Sequence, residues 1–250
     1  MTLRRLARYP VAALLLMTLS VSCSTVHRPR SLRYASYNIQ ATAVDSPMLG
    51  FLEPYSGRLR RTMDDSLGWL PATLLKGMPD PSLGHFLADT YLAMARARFD
   101  SGVQVAFINA GGIRLNTLPA GRLRRGAVYE VMPFDNELVI LRVTGAQLQS
   151  YLDHIAAEGG GGVSGLRMTI REGKAVDVTV QGRPLDPGAT YLMANSDYTV
   201  LSGSYTGLRA LPVSRTGYLL RDATIEYCTR FRDAGRPIGV SLDKRIQHVP

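Results

Sequence analysis

Short apolar runs alternate along this chain with stretches in which apolar residues recur every three or four positions. These are the periodicities of strands and of amphipathic helices. Leu32 to Gln40 reads as a first strand. Ser46-Pro47 offers a capping hydroxyl followed by proline at the first helical position. Met48, Leu52, Tyr55, Leu59 and Met63 then form one apolar helix face, and Pro54 is expected to kink that helix. Past a linker containing Pro71, Pro79 and Pro81, a second helix opens near Ser82 with Leu83, Phe86, Leu87, Thr90 and Met94 inward. Val103 to Ile108 has the length and β-branched content of a buried strand. Val128 to Val131 reads as a short strand and Leu138 to Val143 as a stronger one. Thr144 and Gln147, three residues apart, form a capping box before a helix with Leu148, Leu152 and Ile155 on one face. Gly159 to Gly162 ends it. Arg167 to Ile170 and Val176 to Val180 alternate about Glu172-Gly173-Lys174 and predict a hairpin. Tyr191 to Asn195 is another strand. A last helix is expected from Thr216 to Ala234, with Leu220, Ala223, Tyr227 and Phe231 inward. The pattern predicts an α/β (α+β) fold, mixed β-sheets packed with helices.

Composition narrows the class without choosing a ligand. With 250 residues, 46% of them hydrophobic, the chain is long enough to bury a sizeable core. The formal net charge of +9 favours anionic ligands or surfaces in general terms. No Lys/Arg block with interleaved aromatics stands out, so nucleic acid is not an expected partner.

The N-terminus has the layout of an export signal. Arg4, Arg5 and Arg8 precede the apolar run Val11 to Leu19, which is short for a membrane-spanning helix. Ser20-Val21-Ser22 then leads into Cys23, similar to a bacterial lipobox with Leu19 one place early. The reading is a signal peptide over 1–22, a lipidated tether over 23–31 anchored through Cys23, and a folded domain over 32–250. The expected location is outside the cytoplasm, on a membrane. Cys228, the other cysteine, falls at the apolar spacing of a helix and reads as a core residue.

The chemistry centres on Asn109-Ala110-Gly111-Gly112-Ile113-Arg114, directly after the Val103 to Ile108 strand. Two glycines let the backbone turn tightly and approach a ligand, between an amide and a planar guanidinium. A strand, a glycine turn and polar groups in that order can build a pocket for a phosphate, carboxylate or sugar. They can equally do no more than reverse the chain, and on the hexapeptide alone both readings stand.

Further motifs stand in order along the chain. Ser82-Leu83-Gly84-His85-Phe86-Leu87-Ala88-Asp89 resembles S-x-L-G-N-L-x-A-D, and Asn109 to Arg114 resembles N-x-G-G-I-R. Pro133-Phe134-Asp135-Asn136-Glu137-Leu138-Val139 looks like P-F-x-N-x-L-V. Thr144-Gly145-Ala146-Gln147-Leu148 matches T-G-x-x-L, and Val163-Ser164-Gly165-Leu166 matches V-S-G-L. Asn195-Ser196-Asp197-Tyr198 looks like the start of N-x-[DF]-[YF]-L-A-x-G-G-D-G. Together, from residue 32 to 246, they resemble the C-terminal, substrate-binding domain of bacterial-type 5′-nucleotidases. The resemblance implies that Asn109, Gly111, Gly112 and Arg114 hold the sugar and phosphate end of a nucleotide. It also implies that Phe134 and Tyr198 sandwich the base. From the residues alone, those two aromatics read as core, the commoner fate of an isolated aromatic.

The chain departs from the family at Ser204, where the pattern has aspartate, at Gly77, where it has an arginine, and at His85, where it has asparagine. Lys76 is the basic residue nearest the missing arginine. Complete family members cleave phosphate with two metals held by D-x-H, G-N-H-E and G-H-x-H motifs on another domain. The four histidines here, His27, His85, His154 and His248, belong to no such motif. No catalytic residue and no metal ligand is therefore assigned. The resemblance implies the nucleotide-binding half of a split 5′-nucleotidase, with the divalent metal on a separately encoded metallophosphatase partner. A non-catalytic nucleotide- or nucleoside-binding lipoprotein, or a surface scaffold with a vestigial pocket, are the alternatives.

Overall fold

A computed structural model describes residues 45–202 and 205–249, and the chain from Pro47 onward forms one compact unit. The expected strand at Leu32 to Gln40, the signal and tether segments and Ser204 lie outside the described residues. The elements run α1 (Ser46–Met63), β1 (Ser66–Leu70), β2 (Leu74–Leu75), α2 (Ser82–Arg98), β3 (Val103–Ile108), β4 (Thr117–Leu118), β5 (Gly121–Arg124), α3 (Arg125–Val131) and β6 (Glu137–Thr144). They continue with α4 (Gly145–Ala157), β7 (Gly162–Ser164), β8 (Leu166–Arg171), β9 (Lys174–Val180), β10 (Arg183–Pro184), β11 (Thr190–Ser196), α5 (Asp197–Ser202), β12 (Val213–Leu219), α6 (Leu220–Asp233) and β13 (Ile246–Val249).

A five-stranded sheet, ordered β12-β6-β11-β3-β7, divides the interior. Strands β6, β11 and β3 are largely apolar on both faces because both faces are covered there, whereas the edge strand β12 is mostly polar. Leu138, Ile140, Ala106, Ile108 and Ala194 join the core under α2 and α6. The alternate residues Val139, Leu141, Val105, Phe107 and Met193 join a second core under α4 and the β8–β9 hairpin. A four-stranded sheet, β10-β9-β8-β13, closes that second side. The turn of the hairpin is the expected one: Arg171 pairs with Lys174, and Glu172 and Gly173 both take positive φ, as a tight two-residue turn requires. The Thr144–Gln147 capping box forms in both directions.

Two local expectations are corrected. Val128 to Val131 belongs to helix α3 rather than to a strand, with Val128 and Val131 buried against the first core. Thr216 lies in a strand, because residues 213–219 pair with β6 at the sheet edge, and the last helix begins only at Leu220. The apolar face of α1 exists as a stripe, but no residue of that helix is buried.

A network of buried polar groups joins α2 to the C-terminal strand. His85 is 2% exposed. Its Nδ1 accepts from the Val163 N–H at 3.1 Å, and its Nε2 lies 2.7 Å from Asp80 Oδ1, so the proton sits on Nε2. The same Asp80 oxygen accepts from the backbone N–H groups of Arg245 and Ile246. Burial holds the His85 pKa below the ordinary imidazole range, with the Arg245 charge acting in the same direction and Asp80 opposing both. Arg245 grips Asp89 with two nitrogens at 2.6 and 2.8 Å, and Ser164 Oγ donates to the same carboxylate. Cys228 is buried in the first core, where desolvation pushes its thiol up to about 12.

Candidate functional site

Topology brings the site together. β11 runs parallel to β3, so the segments that follow their C-terminal ends, Asn109 to Gly112 and Asp197-Tyr198, emerge on one rim. β6 is antiparallel to β11, with Leu138 opposite Ser196, so its N-terminal approach, Phe134 to Asn136, reaches the same rim. The carboxyl edge of parallel strands is where open α/β sheets bind ligands.

At that rim Asn109, Gly111, Gly112, Arg114, Phe134 and Tyr198 line one cavity of about 320 Å³. All six residues singled out from the sequence therefore share it. Asn136, which sequence reasoning quoted only as part of a motif, lines it as well. The Ala110–Gly112 turn is a single 3-10 turn. A Cβ on Gly112 would come within 2.9 Å of Asn109 Oδ1, so glycine there leaves the amide room to fold over the turn. Ile113 is buried, the Arg114 N–H donates to the Val131 carbonyl at 2.8 Å, and Lys76 Nζ donates to the Ile113 carbonyl at 2.6 Å. These contacts fix the backbone while the Arg114 side chain stays exposed. Its guanidinium lies over the Phe134 ring, 5.1 Å from the centroid.

Phe134 is 36% exposed and Tyr198 51%. Neither is a core residue, contrary to the reading from the residues alone. The segments that carry them are braced from behind. Arg221, nearly buried, donates to the Phe134 carbonyl and pairs with Asp135 at 2.6 Å. Asp197 accepts from the backbone N–H groups of Tyr198 and Glu137. Asn195, fully buried, donates to Tyr151 Oη at 3.2 Å. Glu137 accepts from the Gly217 N–H at 2.5 Å and from Arg215 at 2.6 Å. Those two contacts, the Gly217 bond foremost, hold its carboxyl below the usual carboxylate range.

An exposed guanidinium, a glycine turn, two carboxamides and two exposed rings suit an anion attached to a flat ring. The profile of the family described as 5′-nucleotidase, C-terminal domain matches residues 75–210, more than half of the chain. This chain belongs to the 5′-nucleotidase C-terminal domain family. It is 30% identical over 199 residues to Protein UshA of Yersinia enterocolitica, covering 75% of this chain and 35% of that protein. It is 27% identical over 209 residues to a 5′-nucleotidase of Vibrio vulnificus, covering 79% and 36%. The chain thus spans about a third of the length of these relatives. Among solved structures, the 5′-nucleotidase precursor of Thermus thermophilus superposes with a TM-score of 0.68 at 25% identity, over 79% of this chain and 42% of that one.

Within this 5′-nucleotidase domain the motif residues divide by task. Those at the strand ends surround the cavity. Asp89, Ser164 and His85 belong to the polar network between α2, β7 and β13 instead. Gly165 has φ +79° and a Cβ there would collide with the Gln104 carbonyl, so its part in V-S-G-L is a backbone one. Lys76 is engaged with the Ile113 carbonyl, and Gly77 faces open space. Among the described residues no group of three or more His, Cys, Asp or Glu side chains is gathered to hold a metal ion.

Proposed function

We propose that this chain is the nucleotide-binding half of a split 5′-nucleotidase, tethered to a membrane through a lipidated Cys23 outside the cytoplasm. The observation that carries the reading is the cavity in which Arg114 and the Asn109–Gly112 turn meet the exposed rings of Phe134 and Tyr198. In this reading the guanidinium pairs with the nucleotide phosphate, since its planar donor fork matches phosphate oxygens. Asn109 and Asn136 hydrogen-bond the sugar or the base edge, and the two rings stack on the base. The divalent metal and the hydrolytic step belong to a separate metallophosphatase chain, because this chain's own chemistry is to bind and orient.

The test has two arms. Purified chain supplied with zinc or manganese is expected to leave AMP uncleaved, and addition of an exported metallophosphatase encoded beside it is expected to raise AMP hydrolysis by that partner. Hydrolysis by the chain alone removes the need for a partner. No change in the partner's activity leaves the non-catalytic nucleotide-binding lipoprotein as the better account.

A further inference from the structure

A second cavity of about 320 Å³ also borders the Asn109–Gly111 turn. It shares Asn109, Gly111 and Tyr198 with the first, so the two are neighbours. Its character differs from that of its neighbour. Among the described residues, the first cavity is lined by a guanidinium and no carboxylate. The second is lined by a carboxylate, Glu158, and by no lysine or arginine. Tyr205 forms one wall, its ring 5.4 Å from that of Tyr151 and 5.3 Å from that of His154. Tyr205 Oη donates to Ser150 Oγ at 2.9 Å, which holds the ring in place. His154 and Glu158 face one another at 3.4 Å. Ile108 and Ile155 supply apolar floor. Thr199 also lines the space and is 7% exposed. Its Oγ1 is buried and has no hydrogen-bond partner among the described residues. A buried hydroxyl without a partner is costly, and a ligand group that satisfied it would recover that cost.

We propose that this second cavity is a subsite for a second, uncharged ring carried on the base of the bound nucleotide. The ring would lie against Tyr205 and His154, and a polar atom at its attachment would hydrogen-bond Thr199. Attachment through the base follows from the charge pattern: the anionic end belongs with Arg114, whereas bridging phosphates led toward Glu158 would meet a like charge. The proposal rests on nucleotide binding in the first cavity.

Calorimetry with AMP, N6-benzyl-AMP and diadenosine diphosphate tests it on the intact chain and on two variants. N6-benzyl-AMP is expected to bind about tenfold more tightly than AMP, the gain that one aromatic stacking contact supplies. Tyr205→Leu is expected to reduce that gain to about threefold or less and to leave the AMP dissociation constant within about twofold. Thr199→Val, which keeps the side-chain shape, is expected to lower the gain too and serves where Tyr205→Leu does not fold. AMP binding with no gain for N6-benzyl-AMP, or a gain untouched by both variants, overturns the subsite alone. A gain for diadenosine diphosphate only overturns attachment through the base. Failure of AMP to bind overturns the nucleotide reading of the first cavity and this proposal with it.

Discussion

At the scale of single residues, the proposed recognition in the first cavity turns on Arg114. The described residues offer its guanidinium no carboxylate partner, and it lies over Phe134 at the cavity wall. Charged hydrogen bonds contribute about 1.5–3 kcal/mol each, so Arg114→Ala is expected to weaken AMP binding by about tenfold or more. Arg114→Lys keeps the charge and loses the fork and the stacking plane. It is expected to recover only part of the affinity in the same titration. Much of this was legible in the sequence, because a glycine turn between an amide and an arginine after a strand is a local pattern. Asn136 was less so: it reaches the cavity only because β6 runs antiparallel to β11, a pairing no local pattern reveals. The exposure of Phe134 and Tyr198 was likewise undecided by spacing, since an isolated aromatic reads the same whether it faces core or cleft.

At the scale of elements, α2 is held at its start by the bonds among Asp80, His85 and the Arg245-Ile246 backbone. The His85 pKa is lowered in the fold from the ordinary imidazole value of 6.5, so folding favours the neutral ring. The contribution to stability is present above about pH 6.5 and is lost as pH falls through the lower folded value. His85→Asn, the residue more usual in this motif, is expected to flatten the fall in melting temperature between about pH 6.5 and 5. A fall of unchanged steepness would assign the acid sensitivity elsewhere. Helix α1 tests a different point. Periodicity found its stripe, but amphipathicity says nothing of what lies opposite, and Leu52 and Leu59 are exposed. Leu52→Ser with Leu59→Ser is expected to change chemical-denaturation stability by less than about 0.5 kcal/mol. Leu87→Ala, in the packed face of α2, is expected to cost about 2–5 kcal/mol. The two misread elements have physical causes. Gly217 gives its N–H to Glu137, which helps hold residues 213–219 on the sheet edge although the pattern suggested helix. Val128 and Val131 have strand propensity, but packing of one face of α3 against the first core overrides it.

At the scale of the whole molecule, a central sheet buried on both faces presents one rim at which two parallel strands end and an antiparallel one begins. Strand existence and fold class follow from apolar runs, caps and turns in the sequence, whereas Phe134 and Tyr198 were singled out only through the family resemblance. The sheet order β12-β6-β11-β3-β7 does not follow from such local patterns, because it is set by long-range pairing. The same rim places a cavity lined by Arg114 beside an aromatic one lined by Glu158. Calorimetric titration of the purified chain with AMP tests whether the Arg114–Phe134–Tyr198 cavity binds a nucleotide. The expected result is saturable one-to-one binding that Phe134→Ala weakens by about 1–3 kcal/mol, the stacking contribution of one ring. Absence of binding, or binding with unchanged affinity in Phe134→Ala, would contradict it.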